Sequence, residues 1–142
     1  MTRNFALPLT FARMCKAGSF VRAKGCWELR ELRDCYGNKL ETELGEVFCD
    51  EAVRRRETES LKEGFTRGEG YGNSDPEFAG PGAIDDILEF ERIMAFAISG
   101  DGAPFCFDFR ENEVCPSVIW WDDVYWRRIA PDFDSFCLLF NF

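Results

Sequence analysis

Paired carboxylates are the side chains of this sequence with the clearest capacity for chemistry. The pairs are Asp85 with Asp86, Asp122 with Asp123, and Asp132 with Asp134. Two carboxylates can perform acid–base or glycosidic catalysis when a pocket separates their pKa values. Histidine is absent from all 142 residues. The usual general base near neutral pH is therefore missing, as is every Ser-His-Asp or Cys-His arrangement.

Local structure explains each acidic pair without catalysis. Asp122 and Asp123 follow an apolar strand pattern, in which adjacent side chains point to opposite faces of a sheet. Asp85 and Asp86 favour the start of a helix, and the third pair lies where it can cap the last predicted helix. We therefore expect a protein that is not an enzyme, with a carboxylate-dependent hydrolase as an alternative.

Metal and phosphate sites are not indicated. No two of the seven cysteines form a C-x-x-C pair, and no histidine completes a zinc set. Asp101-Gly102 resembles only a fragment of a calcium loop. The glycine repeat at residues 68–72 neither follows a clear strand nor opens a helix. We expect no metal and no cofactor.

Cysteine usage and the N-terminus predict the compartment. The cysteine count is odd, so we expect reduced thiols that act as small apolar side chains. The N-terminal stretch MTRNFALPLTF has a short apolar run and no cleavage pattern. No apolar stretch approaches the ~20 residues needed to span a bilayer. The sequence predicts a cytoplasmic protein with no membrane contact.

Charge is distributed unevenly along the chain, whose net charge is −9. Residues 1–39 hold eight Lys or Arg against three Asp or Glu, whereas residues 40–142 hold nine against twenty-three. Binding to phosphates needs a basic face, so nucleic acid is not an expected ligand. An acidic surface of this extent suits a basic protein partner, although it can also serve only to keep the domain soluble.

The C-terminal third predicts a sheet and a helix. Phe105, Phe107 and Phe109 alternate with other residues at the strand period, and residues 93–98 and 117–121 are apolar strand candidates on either side. Apolar residues in 133–140 then recur at helical spacing.

The N-terminal half is less regular. A short helix is predicted after Pro8, ending at Gly18. Residues 20–32 fit either an extended segment or a helical turn, and residues 38–63 a weak exposed helix or an ordered insertion. Residues 64–82 hold six of the twelve glycines and are predicted to form a loop. The whole pattern predicts one α+β domain over 1–142, an antiparallel meander with flanking helices.

Partner-binding candidates are acidic or aromatic side chains. Trp121 lies in a strand that is apolar on both sides, which favours a core position but leaves open an exposed patch. Tyr125 and Trp126 add aromatic rings beside two carboxylates. The full set comprises Glu57, Glu59, Glu63, Glu69, Tyr71, Asp101, Trp121, Asp122, Asp123, Tyr125 and Trp126.

Several stretches resemble one protein family. They are Phe96-Ala97 before Gly100-Asp101-Gly102, then PFCFDFR, SVIWWDD and IAPDFDSFCLLF, with Pro81-Gly82-Ala83-Ile84 at the entry. The pattern resembles the SUKH superfamily, which includes the yeast cell-wall-synthesis regulator and many bacterial immunity proteins. The resemblance is good over residues 81–140 and loose over residues 9–80.

The resemblance implies a non-enzymatic α+β domain. In bacteria such domains typically neutralise a cognate polymorphic toxin, often a nuclease, by binding it in the cytoplasm. Our leading hypothesis is an immunity protein that occludes a basic toxin domain. A scaffold or regulatory interaction module is the second hypothesis and the hydrolase the third. The oligomeric state is not predicted.

Overall fold

A six-stranded antiparallel sheet forms the centre of the computed structural model, which describes residues 5–21, 25–66, 80–123, 125–140 and 142. The strands pair in chain order: β1 Trp27–Glu28, β2 Glu43–Val47, β3 Ile93–Ser99, β4 Pro104–Asp108, β5 Ser117–Asp122 and β6 Tyr125–Ala130. The helices are α1 Leu9–Ala17, α2 Glu51–Glu59, α3 Leu61–Gly64 and α4 Phe133–Cys137. The predicted α+β class and antiparallel meander are confirmed.

The sheet is apolar on both faces. All five residues of β4 are buried, with Phe105 and Phe107 in one core cluster and Cys106 in the other. The first face, which we define by Phe105 and Phe107, packs against α1 and α4. The second face, defined by Cys106, packs against residues that include Leu61 of α3. A strand covered on both faces is central to its sheet.

Aromatic rings fill the first face. Phe96 and Phe107 stack with their ring centroids 4.2 Å apart. Phe11 of α1 meets Phe107 edge-on at 5.2 Å, and Phe133 of α4 meets Phe11 edge-on at 5.4 Å. Edge-to-face and offset-stacked pairs are the favoured geometries of aromatic rings and add about 0.5–1.5 kcal/mol each beyond area burial. The aromatic spacing therefore predicted the first-face core correctly.

Helix ends follow the predicted signals. Gly18 ends α1 with φ 75°, the left-handed conformation that glycine adopts without strain. The Asp132 side chain accepts a hydrogen bond from Ser135 N at 2.7 Å and caps α4. Both predictions are confirmed.

The predicted helix start at Asp85 and Asp86 is wrong. Residues 84–92 form no helix, and Ile87 packs into the second core cluster while Leu88 is exposed. Just before this segment, Gly82 O accepts a hydrogen bond from Arg128 N of β6 at 2.8 Å. This pairing ties the chain to the outer edge of the sheet immediately before the residues where the acidic pair favoured a helix.

The sequence did not predict two of the strands, β2 and β6. In β2 the apolar residues are sparse. The register of its pairing with β3 shifts between Leu44 and Glu46. Gly45 lies at that shift, and a Cβ atom there would lie 3.1 Å from Ile98 O. In β6 two arginines interrupt the apolar pattern. Tertiary pairing, which a local pattern does not report, decides both strands.

A disulfide joins Cys15 of α1 to Cys49, just before α2, with the Cα atoms 5.4 Å apart. The prediction that every cysteine is reduced is therefore wrong. Disulfides are rare in the reducing cytosol, so this pair does not fit the predicted cytoplasmic location, which stays a prediction. The free cysteines are Cys26, Cys35, Cys106, Cys115 and Cys137.

Thr58 connects α2 to the sheet. The register of β3 against β4 shifts between Ala95 and Ala97. The Thr58 hydroxyl accepts a hydrogen bond from Ala95 N at 2.9 Å and donates one to Arg54 O at 2.7 Å. Thr58 is buried, so no water is available to replace it as a partner for Ala95 N.

We expect Thr58→Val to lower the free energy of unfolding by about 1–3 kcal/mol, because it keeps the side-chain shape but leaves Ala95 N buried without an acceptor. Urea unfolding followed by circular dichroism measures the change. Thr58→Ser keeps the hydroxyl and is the matched control. Equal stability of the valine variant and the wild type would contradict the assigned role.

We expect reduction of the disulfide to lower the free energy of unfolding by about 4 kcal/mol, the loop-closure term for cysteines 34 positions apart. Urea unfolding with and without a thiol reductant measures it. A Cys15→Ser/Cys49→Ser double variant is the control, since its stability should not respond to reductant. If reductant also leaves the free energy of unfolding of the wild type unchanged, the disulfide does not form.

Candidate functional site

Antiparallel pairing brings three connections to one end of the sheet. Leu44 lies opposite Ser99, so β2 starts where β3 ends. Phe105 lies opposite Trp120, so β5 ends where β4 begins. The start of β2, the β3–β4 turn and the β5–β6 turn are therefore neighbours. We call this region the acidic end, because it carries the carboxylates of Glu28, Glu41, Glu43, Asp101, Asp122 and Asp123.

The opposite end of the sheet carries three ion pairs and further carboxylates, which include Glu91 just before β3 and Asp132 just after β6. The ion pairs form between Arg92 and Glu113 (2.7 Å), Arg110 and Asp108 (2.8 Å), and Arg128 and Glu111 (3.3 Å). At the acidic end the exposed cations include Lys39 and Arg33, which lies opposite Lys39 in an isolated bridge. Both ends of the sheet thus carry more carboxylates than cations.

A polar cleft of about 380 Å³ opens at the acidic end. It lies between the β1–β2 connection and the start of β6. The side chains that line it belong to Asn38, Lys39, Glu41, Asp122, Tyr125 and Arg127. Its volume is near the lower limit of ordinary ligand sites, so the cleft matches one long side chain better than a large cofactor.

Arg127 forms the floor of the cleft and is almost fully buried, with 4% of its side chain exposed. Its guanidinium donates to Asp34 Oδ2 at 2.7 Å, to Lys39 O at 2.9 Å and to Asp122 Oδ2 at 2.9 Å. Asp34 in turn accepts hydrogen bonds on Oδ1 from two backbone amides of its own turn. This network fixes the β1–β2 connection against β6.

Asp122 is the carboxylate that this network positions. Its Oδ2 accepts from Arg127 and from the Tyr125 hydroxyl, the latter at 3.0 Å. With 28% of its side chain exposed, Asp122 still faces solvent. The next residue, Asp123, is exposed in the turn with φ 64°, a conformation that aspartate tolerates better than most residues.

Segment 81–83 completes the outer edge of the site. Asn38 Nδ2 donates to Pro81 O at 2.7 Å. Gly82 has φ 93°, and a Cβ atom there would lie 2.7 Å from Arg128 O. Only glycine fits between this segment and β6. The sharp bend at Gly82 thus lets the chain contact both β6 and Asn38.

Cys35 lies in the same turn but is not a reactive nucleophile. Burial, and then the negative charges of Asp34 and Asp132, raise the pKa of its thiol to about 11. The thiolate is the nucleophilic form, so at neutral pH this exposed cysteine is almost entirely unreactive thiol.

The structure brings part of the predicted partner-binding set together. Asp101, Asp122, Asp123 and Tyr125 all lie at the acidic end. The predicted Glu69 and Tyr71 lie outside the described residues.

Trp121 and Trp126 require correction as exposed aromatic candidates. They are 8% and 1% exposed and belong to the second-face core cluster. Their rings meet edge-on at 5.4 Å, and Trp126 Nε1 donates to Phe65 O at 2.8 Å. Residues after α3 therefore cover both rings, and the core interpretation of this strand is confirmed.

Glu57, Glu59 and Glu63 lie on α2 and α3, which pack on the second face. Residues 51–64 contain four acidic and four basic residues, and Glu57 pairs with Arg56 at 3.4 Å. This surface is therefore not acidic overall, and the three glutamates are separate from the acidic end.

Sequence reasoning missed the residues that build the cleft floor. Asp34 and Arg127 are 93 positions apart, and no local pattern connects them. The Asp34–Asn38 stretch, with Gly37 at φ 84°, does carry a recognisable turn signal. That signal could have located the turn but not its partner strand.

The described residues contain neither a cluster of metal ligands nor a helix that could span a membrane. No cluster of three or more potential metal ligands occurs in that part of the chain. No helix there is long and apolar enough to cross a bilayer.

The fold defines an α+β domain built on an antiparallel meander. The chain belongs to the SMI1 / KNR4 family (SUKH-1), whose model matches residues 25–138. The match covers all six strands and α2 to α4, and α1 lies before it. Comparison with curated proteins and with solved structures finds no match.

We expect Asp34→Ala to lower the free energy of unfolding by about 3 kcal/mol or more, because it leaves a buried guanidinium with only part of its charge compensation. Urea denaturation measures the loss. Glu41→Gln is the control: it removes an equal charge from the exposed Lys39–Glu41 pair, which is worth about 0–1 kcal/mol. Similar small losses in both variants would contradict a structural role for the buried pair.

Proposed function

We propose that this protein is an immunity protein, which binds a cognate bacterial toxin and neutralises it by occlusion. The toxin domain that fits best is basic, as nuclease domains commonly are because they bind phosphate backbones. Membership of the SUKH-1 family supports a role of this kind. A scaffold or regulatory interaction module is the alternative within the same family.

The single observation that carries the proposal is the group of carboxylates at the acidic end of the sheet. Six carboxylates lie there, and the exposed cations beside them, which include Lys39 and Arg33, are fewer. Unbalanced surface charge steers a partner of opposite sign and disfavours others. A basic protein surface is the complement of this end.

Catalysis is not part of the proposal. The sequence offers no histidine, and the exposed thiol Cys35 has a pKa raised to about 11. The best-positioned carboxylate, Asp122, accepts hydrogen bonds from a guanidinium and a phenol, which fix its orientation. An ordered carboxylate of this kind is suited to binding a cation.

We expect the protein to form a tight complex with the toxin encoded beside its gene and to restore growth when the two are co-expressed. The affinity should fall by about tenfold or more between ~0.1 M and ~1 M salt, because salt screens the charges of the acidic end. Growth assays and isothermal titration calorimetry measure these outcomes. Failure of rescue, with both proteins expressed and folded, would contradict the proposal.

The proposal places this complex in the cytoplasm, where thiols are kept reduced. The Cys15–Cys49 disulfide would be open there, so the proposal requires the reduced protein to stay folded and to bind the toxin in the presence of a thiol reductant. A pull-down that instead yields several weak partners, with no effect on the neighbouring toxin, would favour the scaffold alternative.

A further inference from the structure

We propose that the cleft at the acidic end binds one basic side chain, an arginine in preference to a lysine, from the protein partner. The proposal rests on the function proposed above and names the contact that the partner makes. It is carried by the shape of the cleft, by the bonding state of the groups that line it, and by their charge.

The groups that line the cleft favour a cation over an anion. Arg127 is buried, and its described bonds go to the carboxylates of Asp34 and Asp122 and to Lys39 O. An incoming anion would have to displace these bonds from a guanidinium that solvent hardly reaches. On Asp122, by contrast, both described hydrogen bonds go to Oδ2, so Oδ1 can accept from a ligand.

The charge in and around the cleft is negative. The lining itself holds two carboxylates, Glu41 and Asp122, and two cations, Lys39 and Arg127. Around it, Asp34 and Asp123 add two negative charges, and Arg33, which bridges to Lys39, adds one positive charge. Lys39 pairs with Glu41 at 2.9 Å, but their side chains are 75% and 66% exposed. An exposed pair of this kind contributes about 0–1 kcal/mol, so a better-positioned guanidinium can displace Lys39 from Glu41.

The geometry favours arginine over lysine. Asp122 and Glu41 both line the cleft, and a planar guanidinium can donate to two carboxylates at once, whereas an ammonium acts as a point charge. Tyr125 also lines the cleft, and its ring offers a surface on which a guanidinium stacks favourably. The Tyr125 hydroxyl is already bonded to Asp122 and holds that carboxylate in place.

The buried network gives Asp122 a fixed orientation before any partner arrives. Arg127 and Tyr125 hold the same oxygen at 2.9 and 3.0 Å. A buried ion pair such as Asp34–Arg127 contributes little net stability compared with apolar residues of similar size. A carboxylate that is already ordered loses less entropy when it binds, which raises affinity.

The first test is a titration of the ¹⁵N-labelled protein with N-acetyl-arginine amide, followed by amide chemical shifts. We expect saturable shifts at Lys39, Asp122 and Tyr125, with smaller shifts for the lysine derivative and none for the glutamate derivative. Asp122→Asn should abolish them, whereas Glu111→Gln, which removes one charge at the opposite end of the sheet, should keep them. Scattered shifts, or shifts unchanged in Asp122→Asn, would overturn the proposal.

The second test uses the complex with the toxin encoded beside the gene. Asp122→Asn should weaken binding by about tenfold or more, as expected for a central charged contact, and Glu111→Gln by less than about twofold. Glu41→Gln, at an exposed position, should also weaken binding and serves if Asp122→Asn is poorly folded. If the toxin binds tightly and neither cleft variant weakens binding, the proposal for the cleft is overturned and the proposed function stands.

The two tests separate the two proposals. If the wild type does not bind the toxin at all, the proposed function fails, and the arginine titration alone decides whether the cleft accepts a guanidinium. If the toxin binds and the titration is negative, the cleft proposal fails alone.

Discussion

Burial of the sheet on both faces is the constraint on which the rest of the structure depends. β4 has no exposed residue, and its side chains alternate between two separate core clusters. Each face must therefore be covered by other parts of the chain. Helices α1 and α4 cover the first face, and α2 with the segment around Ile87 contributes to covering the second. Covering layers bring polar backbone close to an apolar sheet, and that backbone needs partners.

The acidic end shows how this requirement produces a possible binding surface. Cys35 N donates to Ile129 O, so the β1–β2 connection reaches the far edge of the sheet, five strands from β1. Asp34 accepts two amides of the turn, and its remaining oxygen accepts from Arg127. Arg127 has further donors, and one of them fixes Asp122 at the surface. Thus the same Arg127 side chain bonds Asp34 of the covering loop and orients the exposed carboxylate of Asp122.

The sequence predicted those features that repeat within a short stretch. The alternation of Phe105 and Phe107 and the helical spacing of Phe133 and Phe136 predicted the first-face core, because both patterns report burial directly. The sequence did not predict β6 or the Asp34–Arg127 pair, which depend on contacts between distant segments. Acidity was visible from composition, but its concentration at one end of the sheet was not, since strand order determines which turns meet.

Stability alone does not account for the charge of the acidic end. Like charges on neighbouring turns repel, and the three ion pairs at the opposite end show that arginines can compensate carboxylates in this sheet. Glu28 and Glu41 are both exposed, and glutamine in place of either would relieve repulsion without disturbing the core. Charge that a fold could lose without harm to its core is expected to serve recognition. The acidic end is therefore where a basic partner gains most, and a change of an exposed charge there alters binding more than folding.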